Sequence, residues 1–194
     1  MSQILGKIFV AIKSKLNDMK MLEKILLVAV FSFISSIGYS QTKMIYLIRH
    51  AKSSHDNPDL VDFDRPLADR GHRDAKKMAG ILKEKGISPE LIVASPSKRT
   101  QQTAAYFKDA LYKNYDKILL DSLIYRCAPA TLVNQITKFN DSKNSIMVFG
   151  HNPSMTRAAN YFQDDTLFDN VPTTGIVAIQ FKTAQEKYQS LLEF

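Results

Sequence analysis

Cysteine is nearly absent: Cys127 is the single one in 194 residues. An internal disulfide is therefore excluded, and so is a structural zinc site built on several thiolates. Phosphate chemistry on a thiolate nucleophile needs an arginine six residues after the cysteine, and that position is Val133. Glycine is scarce too, with seven in the chain, and no glycine-rich loop ends in Gly-Lys-Ser/Thr. A Gly-x-Ser-x-Gly elbow is missing, as is a His-Glu-x-x-His pair, so neither a serine hydrolase nor a metal site is expected. Runs of Lys/Arg and aromatic-basic interleaving are also lacking, which leaves no footprint for nucleic acid. If an anion is bound here, side chains rather than a glycine loop must hold it.

The net charge of +7 is partly N-terminal, because residues 1–40 hold Lys7, Lys13, Lys15, Lys20 and Lys24 against Asp18 and Glu23. The remaining excess suits an anionic ligand. Basic residues around Met19–Lys24 give way to the apolar run Ile25–Ile37, followed by Gly38, Tyr39 and Ser40. That order is the pattern of an export signal cut after Ser40. The run is short of the about 20 residues a bilayer span requires; a retained membrane anchor is the alternative. Ile4, Leu5, Ile8, Phe9, Ile12 and Leu16 fall at helical spacing and fit a surface-lying amphipathic stretch, or the true start lies at Met19 or Met21. The expected organisation is an appendage over 1–40 and one domain over 41–194, exported to the periplasm or secreted.

Beyond Gln41, short apolar runs alternate with amphipathic ones. Strands are expected at Met44–Ile48, Leu91–Ala94, Ile118–Leu120 and Ser145–Phe149, with a closing strand Thr174–Phe181 at or near a sheet edge. Helices are expected at Asp69–Lys85, stopped by Gly86, and at Ser97–Tyr112, Pro129–Phe139 and Pro153–Phe162. Such alternation implies an α/β fold, a mostly parallel sheet with helices on both faces.

Ligands of such sheets gather where strands end. Three strand ends are chemically loaded. The first runs into Arg49-His50, the second into Ser95-Pro96-Ser97-Lys98-Arg99-Thr100, and the strand ending at Phe149 into Gly150-His151-Asn152-Pro153. Pro96 and Pro153 stand where helices should start, a position that tolerates a missing N–H. Two arginines, two histidines and two helix N-termini make a site for a dianionic phosphoryl group, which the planar guanidinium fork matches. Taken singly, an Arg-His pair after a strand is as well explained by a surface or capping role; the three junctions at equivalent points argue for a site.

The ordered set of motifs resembles the histidine phosphatase superfamily, in its small SixA-like phosphohistidine phosphatase branch. It runs from Lys43 to about Phe181: Leu47-Ile48-Arg49-His50-Ala51-Lys52, Arg65-Pro66-Leu67 with Arg70-Gly71, Ser95-Pro96 with Arg99-Thr100 and Gln102-Thr103-Ala104, Gly150-His151-Asn152-Pro153, and Pro172-Thr173-Thr174-Gly175. The resemblance implies a phosphoglycerate mutase-like three-layer α/β/α sandwich. It implies that His50 is the nucleophile, that Arg49, Arg99 and His151 clamp the phosphoryl oxygens, and that no metal or cofactor takes part. Arg65 is a further phosphate contact, or else a structural partner of Asp62 or Asp69. Asn152 adds a hydrogen bond to the substrate or shapes the start of the following helix.

No segment has room for the leaving-group acid that larger relatives insert. His55, Asp56, Asp62 and Asp64 are candidates by position alone. A phosphoramidate such as phosphohistidine needs less help from an acid, which favours it; export favours small phosphomonoesters, since phosphorelay proteins are cytoplasmic. The expected partner is thus a phosphorylated small molecule or phosphoprotein, with membrane contact only through an uncleaved N-terminal segment. A non-catalytic phosphate- or phosphoprotein-binding module is the competing reading.

Overall fold

In the computed structural model, residues 42–112, 118–140, 143–162, 168–182 and 189–191 are described, together with Lys20, Met21, Glu23 and Leu26. The chain separates into two units, Met1–Ser40 and Gln41–Phe194, and the elements below all belong to the second. The export segment and the cut after Ser40 lie outside the described residues. Among the described residues no helix is long and apolar enough to cross a membrane.

The strands are β1 (Thr42–Arg49), β2 (Leu91–Ala94), β3 (Leu119–Leu120), β4 (Ser145–Gly150), β5 (Ile176–Lys182) and β6 (Gln189–Leu191). The helices are α1 (Asp69–Glu84), α2 (Lys98–Leu111), α3 (Pro129–Asn140) and α4 (Ser154–Tyr161). One six-stranded sheet runs in the order β3-β2-β4-β1-β5-β6. Pairs β2–β3, β2–β4 and β1–β4 are parallel, while β1–β5 and β5–β6 are antiparallel. This is the mostly parallel sheet that the alternation predicts. β6 was not foreseen: it lies beyond the strand expected to close the sheet, and it takes the edge.

Both faces of the sheet are covered because both sets of alternating side chains are apolar. Ile45, Leu47, Val93, Ile146, Val148, Val177 and Ile179 pack with Leu132 and Ile136 of α3 and Met155, Ala158 and Ala159 of α4. Tyr46, Ile48, Ile92, Met147, Phe149 and Ile176 pack with Ala79 and Leu82 of α1 and Ala104 and Phe107 of α2. The result is three layers. Phe107 and Phe149, wholly buried and in edge contact with centroids 5.1 Å apart, each contribute about 2–3 kcal/mol through burial.

α1 ends as its sequence requires. Gly86 adopts φ 71°, and the amides of Gly86 and Ile87 donate to the carbonyls of Lys83 and Leu82, closing the last turn in a left-handed cap. The two prolines do not occupy first helical positions. Pro96 precedes the N-cap Ser97, and Pro153, after a cis bond from Asn152, is itself the cap of α4. Likewise β5 starts two residues later than expected, because Thr173-Thr174 form a turn with Thr174 at φ 64°.

The parallel register matters for function. Arg49 lies opposite Gly150, and Ala94 opposite Phe149, so the next residues, His50, His151 and Ser95, emerge along one edge. The loop after β1 is closed by the Ser53–Leu67 bridge and by donation from the Ala68 amide to the Lys52 carbonyl at 2.9 Å. Gly71, in the first turn of α1, makes that closure possible: a Cβ there would lie 2.1 Å from the Lys52 oxygen. Gly71→Ala should therefore destabilise the protein by about 1–3 kcal/mol through overpacking. Gly80→Ala, in the same helix with no atom within 4 Å of the added carbon, should be neutral or stabilising by up to about 1 kcal/mol. Paired chemical-denaturation curves check this, and equal effects would refute it.

Candidate active site

His50 follows β1, and its backbone is fixed from two sides. Its amide donates to the Gly150 carbonyl at 3.1 Å, and the amide of Thr174 donates to the carbonyls of Arg49 (3.1 Å) and His50 (3.3 Å). A β-branched residue at positive φ is a strained conformation, held here by those bonds to the end of β1. The His50 Nδ1 lies 2.8 Å from the Ala51 carbonyl. A carbonyl only accepts, so Nδ1 carries the proton and Nε2 keeps the lone pair. The Ala51 amide in turn donates to Thr103 Oγ1, which donates to the Arg99 carbonyl at 2.7 Å. Gln102 Oε1 accepts from the Leu67 amide. The Gln102-Thr103 pair of α2 thus stitches both ends of the loop after β1 to the helix that carries Arg99.

Arg99 is 4% exposed and joins the parts. Its Nε donates to His50 Nε2 at 3.3 Å and its Nη2 to His151 Nδ1 at 3.2 Å. Nη2 also donates to Asp62 Oδ2 at 2.9 Å, and Nη1 to the Asp62 backbone carbonyl. The two imidazole rings stand 5.0 Å apart between centroids.

His151 is buried. Because a guanidinium only donates, its Nδ1 is an acceptor and its Nε2 holds the proton, which reaches Ser95 Oγ at 2.8 Å. Thr100 Oγ1 and Ser97 Oγ lie 3.3 and 3.4 Å from the same nitrogen. Holding a phosphoryl oxygen through Nδ1 would require a proton there, and hydroxyls on the far side satisfy Nε2 as donor or acceptor.

Arg65, on the loop, donates from Nη2 to Ser53 Oγ at 2.6 Å and pairs with Asp62 at 3.4 Å. Of the two structural partners considered for it, Asp62 is the one found. Arg49 is turned to the segment before β5, donating from Nη1 to the Val171 carbonyl (2.8 Å) and Asn170 Oδ1 (3.3 Å). The Nε atoms of both arginines are buried without a partner, which leaves two cationic N–H groups unsatisfied. Asn152 does the second of the two things expected of it. Its amide nitrogen donates to Asn170 Oδ1 and the Val171 carbonyl, and its oxygen accepts from the amide and hydroxyl of Thr156. The side chain is used up in joining α4 to that segment.

Of the acid candidates, His55, Asp56 and Asp64 are exposed, with Asp56 accepting from Ser54. Asp62 alone reaches the site. Burial acts to raise its pKa, but the hydrogen bond and charge of Arg99, the Tyr125 hydroxyl and Arg65 outweigh it and hold the carboxyl below its usual range. Sequence reasoning placed Ser95 and Thr174 in its motifs without giving either a role, and it missed Tyr125. Tyr125 packs edge-on to Phe63 and to His151 and donates to Asp62 at 3.1 Å. Among the described residues no three His, Cys, Asp or Glu side chains are grouped to hold a metal ion.

Burial, then the Arg99 and Arg49 charges, lower the His50 pKa from 6.5 to about 4, against the raising effects of the Ala51 carbonyl and Asp62. For His151, burial, then His50, Arg99 and Arg126, outweigh Asp62 and lower it to about 3. Both rings are neutral at physiological pH, as a nucleophilic imidazole must be. In the unfolded chain they protonate near 6.5, so below that pH the unfolded state binds more protons. The stability gained by keeping the rings neutral is whole above 6.5 and is lost as pH falls towards 4. Urea midpoints should drop between pH 7 and pH 4.5, and the drop should shrink in His151→Asn; an undiminished drop would count against the buried neutral ring.

The family model of the histidine phosphatase superfamily (branch 1) matches residues 45–124. An uncharacterized chloroplastic protein of Arabidopsis thaliana is 44% identical over 75 residues, 39% of this chain and 34% of its own length. The match thus spans about a third of that relative. Among solved structures, a proposed phosphohistidine phosphatase, SixA of Agrobacterium tumefaciens, superposes with TM-score 0.68 at 25% identity, over 77% of this chain and 95% of that one. Phosphoglycerate mutase of Bacillus anthracis str. Sterne shares the fold with TM-score 0.65 at 13% identity, over 78% and 92%.

Proposed function

Because this chain belongs to the histidine phosphatase superfamily, we propose that it is a phosphatase whose His50 forms a covalent phosphohistidine intermediate. One observation carries this reading: the lone pair of His50 Nε2 faces the Nε–H of Arg99 at 3.3 Å, with its proton held on the opposite nitrogen by Ala51. Arriving oxygens would take over the N–H groups of Arg99, and Nε2 would turn its lone pair to phosphorus. The N–P bond forms as the bond to the leaving atom breaks; water then attacks the phosphohistidine and frees the ring. Arg99, Arg65 and Arg49 stabilise the charge on the non-bridging oxygens. His151 completes the clamp with a proton on Nδ1.

The one carboxylate in reach among the described residues, Asp62, is tied to arginines, which supports a substrate whose leaving atom needs little protonation. Phosphohistidine or another phosphoramidate fits best, in keeping with the similarity to the SixA protein; small phosphomonoesters with good leaving groups come second. The order of residues 19–41 supports action outside the inner membrane after a cut at Ser40, with membrane contact only where that cut fails.

Turnover of phosphoramidate and p-nitrophenyl phosphate by the full chain should fall roughly 10⁴-fold or more in His50→Ala and about 10²–10³-fold in Arg99→Ala, and should be indifferent to EDTA. Tight tungstate binding without turnover would instead identify a binding module; loss on chelation would identify a metal enzyme. With the His50 pKa near 4, kcat/KM should hold to about pH 5 and fall below about pH 4; an acid limb near 6.5 would contradict the buried neutral nucleophile. Protein recovered from its host should begin at or near Gln41, and an intact N-terminus would refute the cut.

A further inference from the structure

Arg99 offers a ligand one edge only. A guanidinium has an end-on edge, formed by Nη1 and Nη2, and a side-on edge, formed by Nε and Nη2. The end-on edge is taken by Asp62, through its backbone carbonyl and its Oδ2 at 2.9 Å. The side-on edge points at the two imidazole lone pairs, His50 Nε2 at 3.3 Å and His151 Nδ1 at 3.2 Å. Arriving phosphoryl oxygens would take over this edge from the two imidazoles.

Asp62 is held in turn. Its Oδ1 lies 3.4 Å from Arg65 Nη1, and its Oδ2 accepts from the Tyr125 hydroxyl at 3.1 Å. Tyr125 is braced edge-on between Phe63 and His151. One carboxylate therefore stands between two guanidiniums that would otherwise repel each other. Nor does it block the site, because it occupies the edge turned away from the histidines. Both of its oxygens are engaged by donors, so a proton placed on it would displace an arginine.

We propose that Asp62 is a positioning residue that clamps the end-on edge of Arg99, so that the side-on edge is fixed between His50 and His151 to receive the phosphoryl oxygens. Resting on the phosphatase reading, this gives Asp62 a task other than proton donation. Orientation of this kind is worth a great deal, since displacing a reacting group by about 1 Å can cost about 10²-fold in rate.

The test uses the full chain with Asp62→Ala, Asp62→Asn and Tyr125→Phe, tungstate affinity by calorimetry, and steady-state turnover of p-nitrophenyl phosphate and phenyl phosphate. Asp62→Ala should weaken tungstate at least about tenfold and lower kcat/KM by about 10–100-fold. The factor should be the same for both esters, with Asp62→Asn affected less and Tyr125→Phe least. Tighter tungstate binding in Asp62→Ala would overturn the proposal by showing that the carboxylate competes for the site. A loss confined to phenyl phosphate, the poorer leaving group, would overturn it by identifying a proton donor. If near-ultraviolet circular dichroism shows that the Asp62 variants are unfolded, Tyr125→Phe decides, and unchanged tungstate affinity there overturns the proposal. A wild-type chain that binds tungstate without turnover would defeat the phosphatase reading, and the tungstate series would still judge the role of Asp62.

Discussion

A guanidinium enclosed by protein cannot shed its charge, so each of its N–H groups needs an acceptor. Arg99 finds acceptors for four of its five N–H groups: an imidazole after β1, an imidazole after β4, and the carbonyl and carboxylate of the loop residue Asp62. Satisfying them draws the three strand ends and the loop into one arrangement. The same contacts bring two imidazole lone pairs together on a cationic edge, an arrangement well suited to receiving an oxyanion.

The scaffold beneath is indifferent to chemistry. Apolar side chains on both faces of β1, β2 and β4 put the sheet between two helical layers, and the parallel register sets His50, Ser95 and His151 level with one another. Fine adjustment is done by backbone. Thr174 reaches the carbonyls of Arg49 and His50 from a positive φ, Gly71 lets the Lys52 carbonyl approach α1, and Thr103 ties Ala51 to Arg99. The Thr174 and Gly71 contacts are short ones between main-chain atoms, and at Gly71 even a single added methyl group would disturb them.

The two histidines share a site but are held differently. His50 rests on a carbonyl, which fixes its proton on Nδ1; His151 rests on hydroxyls, which satisfy either tautomer. The first arrangement suits a nucleophile that must always offer the same nitrogen. The second suits a ligand-holding group whose partner is a guanidinium in one state and an oxyanion in another.

Much of this was legible in the residue order. Alternating apolar runs dictate a mostly parallel α/β sheet, because strands buried on both faces must be apolar throughout, and Gly86 marks the stop of α1. Arg49-His50, Arg99 and Gly150-His151 are recognisable because strand ends of a parallel sheet meet on one edge whatever the detailed packing. Direction of side chains was not legible. Nothing in the order says that Arg49 and Asn152 turn to the Asn170–Val171 segment, that Asp62 takes one edge of Arg99, or that Ser95 stands behind His151. Those contacts join residues 18 to 122 positions apart, and local propensity carries no information over such distances. They were decided only when burial drove most donors and acceptors in the crevice to find partners, the Nε groups of Arg49 and Arg65 excepted.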